Sequence, residues 1–104
     1  MIKTQTQGGY LIYVPELFNN YKVIKELGYG SSCVVTLVED QTTHEKYSAK
    51  IISKENAIQL NILKDIYKEI EILKKLDHPN IIKIYDSFEI QNDISKQLII
   101  LILE

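Results

Sequence analysis

Cysteine is almost missing from this chain. The single one, Cys33, excludes an internal disulfide framework and suits a reducing compartment. Charge of one sign is missing too. A formal net charge of −2 gives no electrostatic case for a nucleic-acid partner or an acidic membrane surface. No apolar run reaches transmembrane length, since Leu98–Leu103 is only strand-sized. Met1–Gln5 lacks the long apolar stretch of a secretory signal, so a cytoplasmic location, with the nucleus as the alternative, is the expectation. There is no internal repeat, no low-complexity tract and no Cys/His cluster of metal-ligand spacing, so no metal site is expected. What remains is ordinary for a small globular domain: 104 residues, 45% hydrophobic and 25% charged, enough for one real core.

The pattern along the chain predicts an α+β fold: a five-stranded antiparallel sheet with one long helix, in the order β-β-β-α-β-β. Thr4–Gly9 is polar and expected to be loose. Tyr10–Val14 suits a short edge strand, broken by Pro15. Tyr21–Leu27 and Cys33–Glu39 read as two strands of a hairpin around a glycine-rich turn, the second rich in β-branched residues. Asp40–His44 is a turn, and Glu45–Ile52 a third strand. Asn56–Leu76 carries apolar residues at helical spacing (Ile62, Ile66, Leu73, Leu76) and reads as the helix, ended at Asp77-His78-Pro79-Asn80. Ile81–Phe88 and Gln97–Leu103 are the last two strands, joined by the polar loop Gln91-Asn92-Asp93. Hairpin succession with one helix argues for a sheet covered by that helix on one face.

Three features carry candidate chemistry. The first is the run Leu27-Gly28-Tyr29-Gly30-Ser31-Ser32-Cys33-Val34-Val35. Glycine removes Cβ and lets backbone N–H groups approach phosphate oxygens. The alternative is a hairpin turn that merely needs positive φ, and a lone Gly-x-Gly is weak evidence. The second is Lys50, on a strand with Ser48, two residues away and so facing the same side, which Val35 of the preceding strand can share. Together they offer a small apolar roof with an ammonium beyond it, suited to an adenine ring followed by phosphates. The alternative is an ordinary strand-end lysine. The third is Glu69, which helical spacing places with Ile62, Ile66, Leu73 and Leu76 on the face expected to be buried. A carboxylate there needs a cation, and Lys50 is the candidate; the alternative is a side chain at the edge of the stripe reaching water. His78 and His44 fit a helix-ending turn and a solvated turn. Cys33 fits a small packing residue, with a reactive thiol as the other possibility.

Taken in order, the glycine turn, Tyr47-Ser48-Ala49-Lys50, Glu69 and His78-Pro79-Asn80-Ile81 resemble the small, N-terminal lobe of a eukaryotic protein kinase, most like serine/threonine kinases of the calcium/calmodulin-dependent and related groups. The resemblance covers residues 21–104, leaving 1–20 as an N-terminal extension and ending the lobe at the hinge. It implies an ATP-binding half of a phosphoryl-transfer enzyme. The glycine loop, Leu27 to Val35, would cover the phosphates, with Gly28, Tyr29, Gly30, Ser31, Ser32 and Cys33 in that loop. Leu27, Val35 and Ser48 would line the adenine. Lys50 would bind the α- and β-phosphates and pair with Glu69 when the helix swings in. Leu73 and Ile84 match two stacked apolar residues that support the active arrangement. Leu103 matches the residue guarding the back of the pocket, and Glu104 the start of the hinge, whose carbonyl would accept from the adenine amino group. The chain departs from the family pattern where Cys33 stands for a third glycine, Ser32 for an aromatic residue and Ser48 for alanine. The catalytic aspartate, the ligands for Mg2+ and the protein-substrate platform belong to the large lobe, so residues 1–104 alone are expected to be inactive and marginally soluble. Those departures also support a second possibility, a non-catalytic pseudokinase-like binding module. A dinucleotide-binding β-α-β unit is disfavoured, because the β-branched strand Val34–Val38 follows the glycines where that unit needs a helix.

Overall fold

The computed structural model describes residues 2–5, 11–30, 32–76, 79–80, 82–92 and 96–104, and for residues 2–5 only the backbone. The expected α+β architecture is present. β4 (Tyr21–Tyr29), β5 (Cys33–Asp40), β6 (Lys46–Ser53), β7 (Ile84–Gln91) and β8 (Gln97–Leu103) form an antiparallel sheet, extended by the two-residue edge strand β3 (Leu17–Phe18). The spatial order is β3-β4-β5-β6-β8-β7, so the chain leaves β6, forms its helical segment and returns on the far side of β8. Strand β8 is thereby central, and its run Leu98–Ile102 is buried on both sides. An unbroken apolar run is what a strand covered on two faces requires.

Three expectations change. The helix comes in two pieces, α1 (Lys54–Gln59) and α2 (Leu63–Lys75). Ser53 starts α1 two residues early, because its hydroxyl accepts from the Asn56 N–H at 3.2 Å. Asn61 then stops it with φ of 58°, in the left-handed region that asparagine tolerates. Asn61 N–H donates to Ile58 O and Ile62 N–H to Ala57 O, both at 3.0 Å, a Schellman closure. The penultimate strand begins at Ile84 rather than Ile81, which itself lies outside the described residues, and runs on to Gln91. Thr4 and Gln5 are not loose: β1 (Ile2–Gln5) pairs with β2 (Leu11–Val14) as a separate two-stranded ribbon.

Two apolar clusters lie on opposite faces of the sheet. On the outer face, Val34, Val38, Ala49, Ile51, Leu98, Ile100 and Ile102 are buried together with Ile12 and Val14 of β2 and with Phe18. The N-terminal segment therefore supplies part of this core. Asn92 Nδ2 fastens it by donating to Tyr13 O at 2.8 Å. The inner face carries Ile52, Ile84, Ile99 and Leu101, against which Ala57 of α1 and Ile70 of α2 pack.

Candidate functional site

The register of the sheet assembles the inner face row by row. Gly28 lies opposite Val35, Val35 opposite Lys50, and Lys50 opposite Leu101. One row towards the β4–β5 turn, Cys33, Ile52 and Ile99 are aligned. On the other side of the lysine row, Leu37, Ser48, Leu103 and Ile84 are aligned. Side chains within a row share a face. Val35, Leu37, Ser48, Lys50 and Leu103 are all half-buried, so this part of the inner face is open where the outer face is sealed. Leu37 is a residue that sequence reasoning missed. Its signal was the simple alternation with Val35 along β5.

Lys50, Leu101 and Leu103 also form one wall of a cavity of about 280 Å³, with Ile52 beside them. The opposite wall is α2, through Ile66, Glu69, Ile70 and Leu73, and Ile82 closes one side. The structure thus brings Lys50 and Glu69 to the same cavity. It records no ion pair between them, and Glu69 is exposed rather than buried. The burial expected for Glu69 fails because α2 stands off the sheet: Ile70 is its only buried residue, Ile62, Ile66 and Leu73 are half-buried, and Leu76 is exposed. A helix held away by a cavity leaves a carboxylate on its inward edge in contact with water.

The glycine turn closes tightly. Tyr29 pairs with Val34, and Gly30 N–H donates to Cys33 O at 2.8 Å. A Cβ on Gly30 would meet Cys33 Sγ at 3.0 Å, so a side chain at position 30 would need the sulfur that stands in place of a third glycine to shift by a few tenths of an ångström. Gly28 is different. It has no left-handed φ, and among the described residues a Cβ there would meet nothing within 4 Å. Neither a left-handed φ nor crowding among the described residues explains it, although it directly follows the register shift between Glu26 and Gly28 in β4, and the positive-φ alternative does not hold at either glycine. Ser32 is buried, and its carbonyl accepts from Ser53 N–H at 3.4 Å, so the turn leans on the end of β6. Leu27 and Tyr29 are exposed; Ser31 and His78 lie outside the described residues. Glu104 N–H donates to Lys83 O at 3.3 Å at the far end of the open strip.

This geometry has relatives. The family profile of the protein kinase domain matches residues 21–104. The chain belongs to the protein kinase family. It is 43% identical over 77 residues to calcium-dependent protein kinase 4 of Plasmodium berghei (strain Anka), a match covering 73% of this chain and 15% of that protein. It is 40% identical over 70 residues to a probable myosin light chain kinase of Dictyostelium discoideum, covering 67% and 21%. It is 39% identical over 85 residues to the carbon catabolite-derepressing protein kinase of Saccharomyces cerevisiae, covering 82% and 13%. The match therefore spans only 13–21% of the length of these relatives, and the matched residues have the small-lobe architecture of the kinase domain. Among the described residues, no group of three or more His, Cys, Asp or Glu converges as a metal site. The inner face thus combines an open strip with Lys50 and a cavity of about 280 Å³ beneath α2.

Proposed function

We propose that this chain is the ATP-binding small lobe of a serine/threonine protein kinase, contributing to phosphoryl transfer from ATP to protein hydroxyls. The observation that carries the proposal is Gly28. Neither a left-handed φ nor a close neighbour among the described residues requires a glycine there, and the position, just past the bulge at Leu27, opens the row that leads through Val35 to Lys50. A missing Cβ at a site facing open space suits close approach of backbone to a ligand. Val35, Leu37, Ser48 and Leu103 offer an apolar strip of the kind an adenine ring occupies, with Leu27 at its rim and the Glu104 carbonyl at its end. Lys50 would hold the α- and β-phosphates as a point charge, and the loop from Gly28 to Cys33 would cover them. Glu69, on the facing wall, would orient Lys50 once α2 moves inward. The ligands for the magnesium carried with ATP, the base for the attacking hydroxyl and the platform for the protein substrate are assigned to the large lobe, so residues 1–104 alone are expected not to transfer phosphoryl groups. The partners are ATP and a protein substrate, in the cytoplasm or nucleus, with no role for nucleic acid or membrane.

Phosphoryl transfer by the full-length protein tests this. Lys50→Met is expected to lower the rate by a few hundredfold, because a cation placed on the phosphates contributes about 3–4 kcal/mol to the transition state. Undiminished transfer would refute the role given to Lys50. A second possibility, a pseudokinase-like binding module, draws on the exposed Glu69, the absence of its ion pair with Lys50, and the departures at Cys33 and Ser48. Titration with a fluorescent nucleotide separates the two: a module without nucleotide chemistry would leave the probe unbound.

A further inference from the structure

Helix α2 is lightly held. Ile70 alone is buried, and a cavity of about 280 Å³ lies between the helix and β6 and β8. One polar tether compensates. Tyr67 Oη donates to Glu89 Oε2 at 3.1 Å, and Lys54 Nζ donates to Glu89 Oε1 at 3.1 Å. Lys54 is the first residue of α1, Tyr67 sits in the second turn of α2, and Glu89 belongs to β7, opposite Ile99 on the inner face. The Lys54 ammonium also stands 6.0 Å from the centre of the Tyr67 ring. A single carboxylate thus joins three elements. Among the described residues, no other side-chain hydrogen bond or ion pair connects α2 to the sheet.

We propose that Glu89 is a positioning residue: the Lys54–Glu89–Tyr67 network sets the stance of α2 over the cleft and, through it, the approach of Glu69 to Lys50. The inference rests on the proposed role of Lys50 and Glu69 at the phosphates. Tyr67 is two residues before Glu69, about 3 Å along a rigid helix, so a shift at one is passed to the other. The tether is partly exposed, and such pairs contribute little to global stability. A small energy is nonetheless enough to bias a helix between two stances several-fold. Loss of the tether leaves the stance of α2, and with it the approach of Glu69 to Lys50, unset.

The test uses the full-length protein, ATP and a mixed serine/threonine peptide library, with kcat and the KM for ATP read separately. Tyr67→Phe keeps the ring in the inner cluster and removes only the donor; Glu89→Gln keeps the shape and removes the charge. Each is expected to lower kcat about threefold to tenfold with KM for ATP within about twofold and the melting temperature unchanged. Exchanging the pair, Lys54→Glu with Glu89→Lys, should recover part of the loss, since the tyrosine oxygen can accept from the new ammonium. Wild-type kcat in both single variants, alongside an inactive Lys50→Met, would overturn the tether while leaving the nucleotide site standing. A melting temperature that falls in step with kcat, or an exchanged pair as slow as the single variants, would also overturn it, by making the role merely structural. Full activity in Lys50→Met would instead remove the nucleotide assignment beneath it.

Discussion

The two faces of the sheet are built to different standards. On the outer face, Ile51, Ile100, Ile102, Val34 and Val38 are essentially inaccessible, and β2 adds Ile12 and Val14 to the same cluster. A stack of rings (Phe18, Tyr21, Phe88, with Tyr47 and Tyr85 alongside) completes it; Tyr21 lies parallel to Phe88 with centroids 6.1 Å apart, and Tyr47 on Tyr85 at 4.7 Å. On the inner face a helix covers part of the sheet across a cavity, and Val35, Leu37, Ser48, Lys50 and Leu103 remain half-exposed. One strand, β8, serves both faces through alternate residues. The outer face therefore fixes where the inner residues stand, and the inner face is left loosely packed and partly open. Tight packing transmits position, and loose packing permits the motion that substrate entry needs.

The contrast is broken most directly by truncating one residue on each face. Ile100→Ala is expected to destabilise the full-length protein by about 3 kcal/mol, because a fully buried isoleucine leaves a cavity behind. Leu73→Ala, half-buried beside an existing cavity, should cost about 1 kcal/mol. Chemical denaturation measures both, and equal losses would mean the faces are packed alike. A gain is expected next. Thr36 lies between Val34 and Val38 on the outer face, 4% exposed, and its hydroxyl has no hydrogen-bond partner. Thr36→Val should raise stability by about 1 kcal/mol, since it replaces an unsatisfied buried oxygen with a methyl group of similar size. A loss on denaturation would show that the hydroxyl is satisfied after all.

The smallest expected effect is alkaline. Burial first, then the neighbouring Asp86, Tyr85 and Asp40, push the Tyr21 hydroxyl from its usual 10.0 up to about 12. The folded state thus holds the proton that the unfolded state releases near pH 10. The stabilisation is complete below pH 10 and is lost as pH rises towards 12. Tyr21→Phe should flatten that decline in the denaturation midpoint. An unchanged slope would mean that another group titrates there.

Much of this was legible in the chain. The alternation of Tyr21–Leu27, the β-branched residues of Cys33–Glu39, the strand-sized apolar run Leu98–Leu103 and the order of glycine turn, lysine and helix led to the sheet and to the residues around its open face, because strand periodicity and β-branching are local signals. What could not be read was how elements meet. Asn61 breaks the helix through a backbone conformation that helical spacing does not encode. Glu69 shares the apolar stripe of α2, but spacing says nothing about how far the helix stands from the sheet, so its exposure was hidden. The contribution of Ile12 and Val14 to the outer core depends on a long-range contact, and the Tyr67–Glu89–Lys54 tether joins residues up to 35 apart in sequence. Gly28 is the inverse case. Its identity was plain, but only the fold shows that neither φ nor a close neighbour among the described residues requires it, and that it follows a register shift in β4.

The central claim is that the inner face binds a nucleotide while the outer face only supports it. Hydrogen exchange on the full-length protein, with and without magnesium and a non-hydrolysable ATP analogue, tests this most directly. Added protection is expected in the β4–β5 turn, around Lys50 in β6 and in α2, with the β1–β2 ribbon unchanged. Protection confined to the ribbon and the outer face, or none anywhere in residues 21–104 at saturating analogue, would contradict it.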